Sequence, residues 1–177
     1  MNIKRIRNYQ FFSIAFTFIL GTLLHFTYKW TGNNQFVAWF SAINESVWEH
    51  LKLLFFPMLI STIIGHFCFG ENVPNFLCSK TFGIIVSLVL MVTFFYTYTG
   101  IIGNNFAAVD IASFFIIAII GEFISYLLIV NNFNCNNKMS ALVLLILLIC
   151  FIVFTYFTPD LGIFKDPITG KYGITSG

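Results

Sequence analysis

The sequence predicts an all-α integral membrane protein: five transmembrane helices, with a short interfacial helix before the second. Three observations predict it. Hydrophobic residues make up 58% of the 177 and charged residues only 9%, against about 25% charged in a soluble domain. The apolar residues gather into five runs, each close to the ~20 residues a helix needs to cross a bilayer. Between the runs lie short segments that collect Gly, Pro, Asn and most of the charges. A multi-pass protein of the cytoplasmic membrane, in contact with the lipid bilayer, is the expectation.

Met1 to Gln10 carries Lys4, Arg5 and Arg7 and leads into the first apolar run, 11–28. A basic start before an apolar stretch also describes a secretory signal. This run is long, lacks an A-x-A-like cleavage site and precedes four more, so a retained first helix is expected. Tyr28 and Trp30 close it as an aromatic belt. Phe36, Trp39, Phe40 and Ile43 recur at i, i+3, i+4 and i+7, which predicts a helix over 35–43 lying in the membrane surface. The second span, 51–70, contains Pro57, which should kink it and free the Leu53 carbonyl. Residues 71–80, with Pro74, read as a polar loop, 81–99 as a charge-free third span, and 100–105 as a tight turn. The fourth span, 108–130, holds Asp110 near its start and Glu122 within it. An Asn-rich loop leads to the fifth span, 140–157, and a tail over 158–177 rich in Pro and Gly. The four cysteines show no C-x-x-C spacing and read as apolar packing residues or reduced thiols. A scattered net charge of +2 argues against a nucleic-acid partner.

Lys4, Arg5, Arg7, Lys80 and Lys138 fall on one side of a five-span chain, and Lys29, Lys52, Lys165 and Lys171 on the other. The N-terminal cluster then sets the N-terminus in the cytoplasm and the C-terminus outside. His25, Glu45, Glu49, His50, Asp110 and the tail acids Asp160 and Asp166 all share the second side. That coincidence depends only on the number of spans.

The densest polar stretch is Asn44-Glu45-Ser46-Val47-Trp48-Glu49-His50-Leu51-Lys52. As a helix with Asn44 as N-cap, it sets Glu45 and Glu49 one turn apart, with Ser46 and His50 about 100° round the cylinder. Imidazole and carboxylate donors suit zinc or another first-row divalent ion. The leading functional reading is a metal-assisted hydrolase of a lipid or other hydrophobic, membrane-embedded substrate. His25, His50 and Asp110 would be ligands and Glu49 the general base on a metal-bound water, with Glu45 and Ser46 as supporting catalytic groups. The plain alternative is a charged helix start, its acids favoured by the helix dipole and Glu49 paired with Lys52.

Glu122 lies about 18 Å of helix below Asp110. A carboxylate at that depth costs about 2.5–3.5 kcal/mol unless paired or protonated. His66 reaches a comparable depth, so a His66–Glu122 pair is expected, as interhelical glue or as part of a proton path. At the other end of the chain, the Asp166-Pro167 turn could fold back as a lid over the site or be a plain terminus. The second functional reading is a small transporter or ion-binding module, with Asp110, Glu122 and His66 marking a polar path completed by homo-oligomerisation. A third is a non-catalytic membrane assembly partner.

N-E-S-V-W-E-H-L-K-L-L-F-F-P, preceded by L-H-F-T-Y-K-W and followed near the end by F-K-D-P-I-T-G-K-Y-G, resembles an uncharacterised family of small bacterial polytopic membrane proteins catalogued as a domain of unknown function. The resemblance covers nearly the whole chain. It implies the multi-pass fold and marks His25, Asn44, Glu45, Ser46, Trp48, Glu49, His50, Asp166, Pro167, Gly170, Tyr172 and Gly173 as lying in family-like segments. It brings no established activity with it. The Ser46-x-x-x-His50 spacing is also similar to the Ser/His/Asp zinc sites of the membrane hydrolases that include alkaline ceramidases. Those have seven spans and a later paired-histidine motif that this chain lacks.

Overall fold

The computed structural model describes residues 3–174. Five helices, each long and apolar enough to cross a membrane, form the architecture: α1 Ile3–Trp30, α2 Val47–Phe69, α3 Phe76–Ile102, α4 Ala107–Val130 and α5 Asn137–Tyr156. The described residues contain no strand, only one isolated antiparallel bridge between Lys165 and Tyr172. α1 packs on α2 and α4, α3 packs on α2 and α4, and α5 lies against α3. The first four helices thus close a ring with α5 outside it. Burial follows that order: 61% of the apolar window of α2 is buried, against 22% for α5. The outward faces carry Phe11, Ile19, Leu142 and Ile149, the apolar surface that bilayer lipid covers.

Small residues set the helix spacing. A Cβ on Gly83 would run into Ser125 Oγ and the Gly121 carbonyl, and one on Gly121 into Ser87 Oγ. α3 and α4 therefore meet backbone to backbone, the small-residue packing that membranes favour because lipid supplies no hydrophobic drive between helices. Pro57 lies inside α2 and leaves the Leu53 carbonyl without its helical donor. Gly21 of α1 crosses there, where an added Cβ would lie 2.5 Å from that oxygen.

Three local features depart from the sequence expectations. The connection before α2 holds one 3-10 turn, Val37–Trp39, rather than a helix over 35–43. Ala38, Ser41 and Ala42 are buried inward while Phe36 and Trp39 stay exposed, so the segment is stapled to the bundle instead of floating on it. α3 begins at Phe76, so Lys80 is helical and fully buried rather than a loop cation. A hydropathy reading ends a span at a charge, whereas a paired charge can lie within one. Cys78 and Cys135, read as packing residues or free thiols, form a disulfide with a Cα separation of 6.3 Å. The two cysteines are 57 residues apart. They meet because Asn137 binds both the Cys78 amide and the Pro74 carbonyl, holding the start of α5 against the start of α3. Cys68 and Cys150 are free.

Candidate functional site

The site is assembled where α1 ends and α2 and α4 begin. Ser46, not Asn44, caps α2: its backbone is extended (φ −68°, ψ 153°), and its hydroxyl accepts from the Glu49 amide at 3.4 Å. Asn44 instead builds a turn ahead of the helix, its Oδ1 accepting the Ser46 amide at 2.9 Å. That two-residue shift takes Glu45 off the helix. The expected Glu45–Glu49 face does not form, and the two acids point to different partners.

Glu49 is buried. It accepts from Lys52 Nζ at 2.7 Å and from the Ile43 amide at 3.1 Å, while Lys52 also donates to the Ala38 carbonyl at 2.9 Å. The pair therefore stitches the segment around Val37–Trp39 to the first turn of α2. Both bonds fall on Glu49 Oε2, and the residue does not line the cavity. Those contacts are structural, and the residue stands off the cavity wall where the spacing had suggested a general base.

Glu45 joins the histidines. His25, Glu45 and His50 each offer one ligand atom, all within 4.8 Å of one another. The Ser46 carbonyl accepts from both the His50 amide, at 3.1 Å, and His50 Nδ1, at 3.0 Å. A carbonyl only accepts, so Nδ1 carries the proton and Nε2 is left to bind. Nε2 faces Glu45 Oε2 at 3.4 Å. Two lone-pair atoms at that distance call for a proton or a cation between them. The His25 ring lies 5.3 Å from that of His50, centroid to centroid, and its Nδ1 is buried without a hydrogen-bond partner. Ligands held about 2.0–2.1 Å from a tetrahedral zinc are roughly 3.4 Å apart. The Glu45–His50 spacing already has that value. His25 needs to approach by no more than about 1.4 Å.

These groups open on a cavity of about 430 Å³ that also reaches Asp110, within the roughly 300–1,000 Å³ of small-molecule sites. Most of its wall is apolar, including Phe26, Leu53, Met91, Phe95 and Phe114. Asp110, expected as a ligand, stands outside the three-residue cluster. Tyr98 donates its hydroxyl to one carboxylate oxygen, and Asn105 donates to the other at 3.4 Å. Neither Tyr98 nor Asn105 was singled out from the sequence, because nothing in local spacing links the end of α3 to the start of α4.

Pro167 and Ile168 of the tail are among the residues that line the cavity. The Asp166 carboxylate closes its own turn, accepting from the Ile168 amide at 2.8 Å and the Thr169 hydroxyl at 2.9 Å. Phe164 packs on Trp48 of α2, with ring centroids 4.8 Å apart. His66 and Glu122, expected to pair, are apart. His66 is exposed near the far end of α2, and Glu122 is ion-paired with Lys80. Lys80 was overlooked because it had been placed in a loop.

Five apolar helices, four of them walling a largely apolar cavity with a polar mouth, define a multi-pass membrane protein. Within that class, the chain belongs to the family of unknown function DUF6512, whose sequence model matches residues 1–174. No curated protein and no solved structure matches it.

Proposed function

We propose that His25, Glu45 and His50 bind a divalent cation of the zinc type, and that the protein is a metal-assisted hydrolase of an amphiphilic, membrane-embedded substrate. The observation that carries this reading is the pinned His50 ring. With Nδ1 held by the Ser46 carbonyl, Nε2 is presented to Glu45 beside an unpartnered imidazole. Metal-ligating histidines are oriented in this way, their second nitrogen bound to a carbonyl or carboxylate. Three protein donors leave a fourth position open, the pattern of catalytic rather than structural zinc. A metal there would lower the pKa of a bound water to near 7. Asp110, across the cavity and fixed by Tyr98 and Asn105, is the carboxylate placed to take that water's proton. The apolar wall suits an acyl or similar hydrocarbon chain, with the polar mouth holding its head group.

The N-terminal end is assigned to the cytoplasm. With Lys52 and Lys80 buried inside the bundle, Lys4, Arg5, Arg7 and Lys138 remain at that end, and Lys29, Lys165 and Lys171 at the cavity end. The cavity then faces outward.

Metal analysis of the purified protein tests the reading. One divalent ion per chain is expected, with its loss in His50→Ala. Metal-free protein whose stability and activity ignore chelators would overturn it.

A further inference from the structure

A second polar site lies deep in the bundle and is separate from the cation cluster. Lys80 of α3 and Glu122 of α4 form an ion pair with neither side chain exposed. Lys80 Nζ also donates to Ser13 Oγ at 3.1 Å and to Gln10 Oε1 at 3.3 Å, which uses all three of its protons. Ser13 Oγ has one proton and two acceptors within reach, Glu122 Oε1 at 2.7 Å and Ser61 Oγ at 2.8 Å. Tyr9 completes the surroundings, its hydroxyl on the Ser61 carbonyl. Four helices therefore contribute to one network.

The ion pair itself is satisfied, but the polar groups set around it are not. Gln10 Nε2 and Thr17 Oγ1 are buried polar atoms with no partner, on residues 5% and 0% exposed. Thr17 differs from its neighbours on α1: Thr22 and Thr27 donate back to the carbonyls of Phe18 and Leu23. Leaving such groups bare costs about 1–3 kcal/mol each, and bound water is the usual remedy. Gln10, Ser13, Thr17 and Gly21 also form a single buried row along α1. Gly21 is a wall of the cavity. From Thr17 to Gly21 the helix rises about 6 Å, the span of two hydrogen-bonded waters.

We propose that Lys80, Glu122, Ser13 and Thr17 form a hydrated proton-transfer site whose open end is the cavity. The Lys80 ammonium gives its proton to the Glu122 carboxylate, leaving a neutral amine and a neutral acid. The acid passes a proton to Ser13, whose own proton leaves toward a water bound at Thr17, and the neutral Lys80 amine takes a proton from water entering on the Gln10 side. The ammonium already on the carboxylate makes a proton, not a metal ion, the cation that fits here. The proposal does not depend on the metal site.

The test is proton uptake by liposomes holding the full-length protein and a trapped pH dye, driven by a valinomycin-clamped potassium potential. Uptake well above protein-free liposomes is expected, falling at least tenfold in Glu122→Gln. Thr17→Val leaves the ion pair untouched and should lose flux to a similar degree, so it decides the matter if Glu122→Gln does not fold. Metal content should be unchanged in Thr17→Val, which separates this outcome from failure of the hydrolase reading. Wild-type uptake equal to that of empty liposomes overturns the proposal. So does a folded Glu122→Gln or Thr17→Val that conducts at the wild-type rate.

Discussion

Asn44 Nδ2 donates to the Gly173 carbonyl at 3.1 Å, joining two residues 129 positions apart in the chain. The bond ties the turn that carries Glu45 to the tail that carries Pro167 and Ile168. Gly173 adopts φ +65°, and a Cβ there would lie 2.8 Å from Thr158 Oγ1. Gly173→Ala should therefore cost about 1–2 kcal/mol from the left-handed backbone alone. Because the tail is held by this bond and by Phe164 on Trp48, the loss should be felt at the cavity. Thermal unfolding in detergent should show the lower stability, and limited proteolysis should cut the tail of Gly173→Ala before that of the wild type. A tail equally protected in both would mean that Phe164 alone holds it.

The two glutamates of the polar motif should separate by assay. Glu45→Gln removes a donor, so metal affinity should fall at least tenfold with little change in fold stability, since the Glu45 side chain is 31% exposed. Glu49→Ala leaves Lys52 buried without its counter-charge, at a cost of about 3–5 kcal/mol, yet the metal content of the folded fraction should persist. Calorimetric titration of metal, beside chemical unfolding, reads both. The opposite pattern would return Glu49 to the site and remove Glu45 from it.

Acid should release the metal. A ligating imidazole must be neutral, so protons compete with the cation and affinity should fall as the medium is acidified. The sign is fixed: binding strengthens toward high pH and is lost toward low pH. His25→Ala and His50→Ala should each flatten the pH profile along with weakening binding. A wild-type affinity constant from pH 5 to 8 would exclude histidine ligands.

The spans were readable because apolar runs of the right length have few alternatives, and the parity of the spans placed His25 and His50 at one end without any contact information. What stayed hidden depended on pairing between distant segments. Lys80 looked like a loop residue until Glu122, 42 positions away, explained how an ammonium can lie within a span. The entry of Glu45 into the donor cluster goes with a long-range bond. Asn44 and Ser46 can each cap a helix, and only the Gly173 carbonyl, outside the motif, recruits Asn44 to the turn and leaves the cap to Ser46. Cys78 and Cys135 had no spacing signal, since the fold of the α3 and α5 starts brings them together.

The Lys80–Glu122 pair should show the asymmetry of buried ion pairs. Lys80→Met leaves the buried carboxylate without its counter-charge, with the Ser13 hydroxyl still on it, and should cost about 3–5 kcal/mol. Lys80→Met combined with Glu122→Leu should recover most of that loss, because replacing both charges removes the desolvation penalty with the attraction. A double-mutant cycle of unfolding in detergent measures the coupling. Additive losses would show that the two side chains act independently and that the network does not rest on their pairing.

Topology and redox state form one prediction. The end holding Lys4, Arg5, Arg7 and Lys138 also holds the Cys78–Cys135 bond. Basic residues favour the cytoplasm, where thiols are kept reduced, whereas disulfides persist outside it. With the N-terminal end cytoplasmic, Cys78 and Cys135 should react with maleimide in freshly lysed cells without added reductant, and the bond should close only on later oxidation. A reporter enzyme that works only outside the cytoplasm should then be active when fused after Gly177 and inactive when inserted at 131–136. Thiols blocked until reductant is added, together with the reverse reporter pattern, would turn the protein over in the membrane. The cavity, with His25, Glu45 and His50, would then open to the cytoplasm, and its substrate would have to be drawn from the inner leaflet.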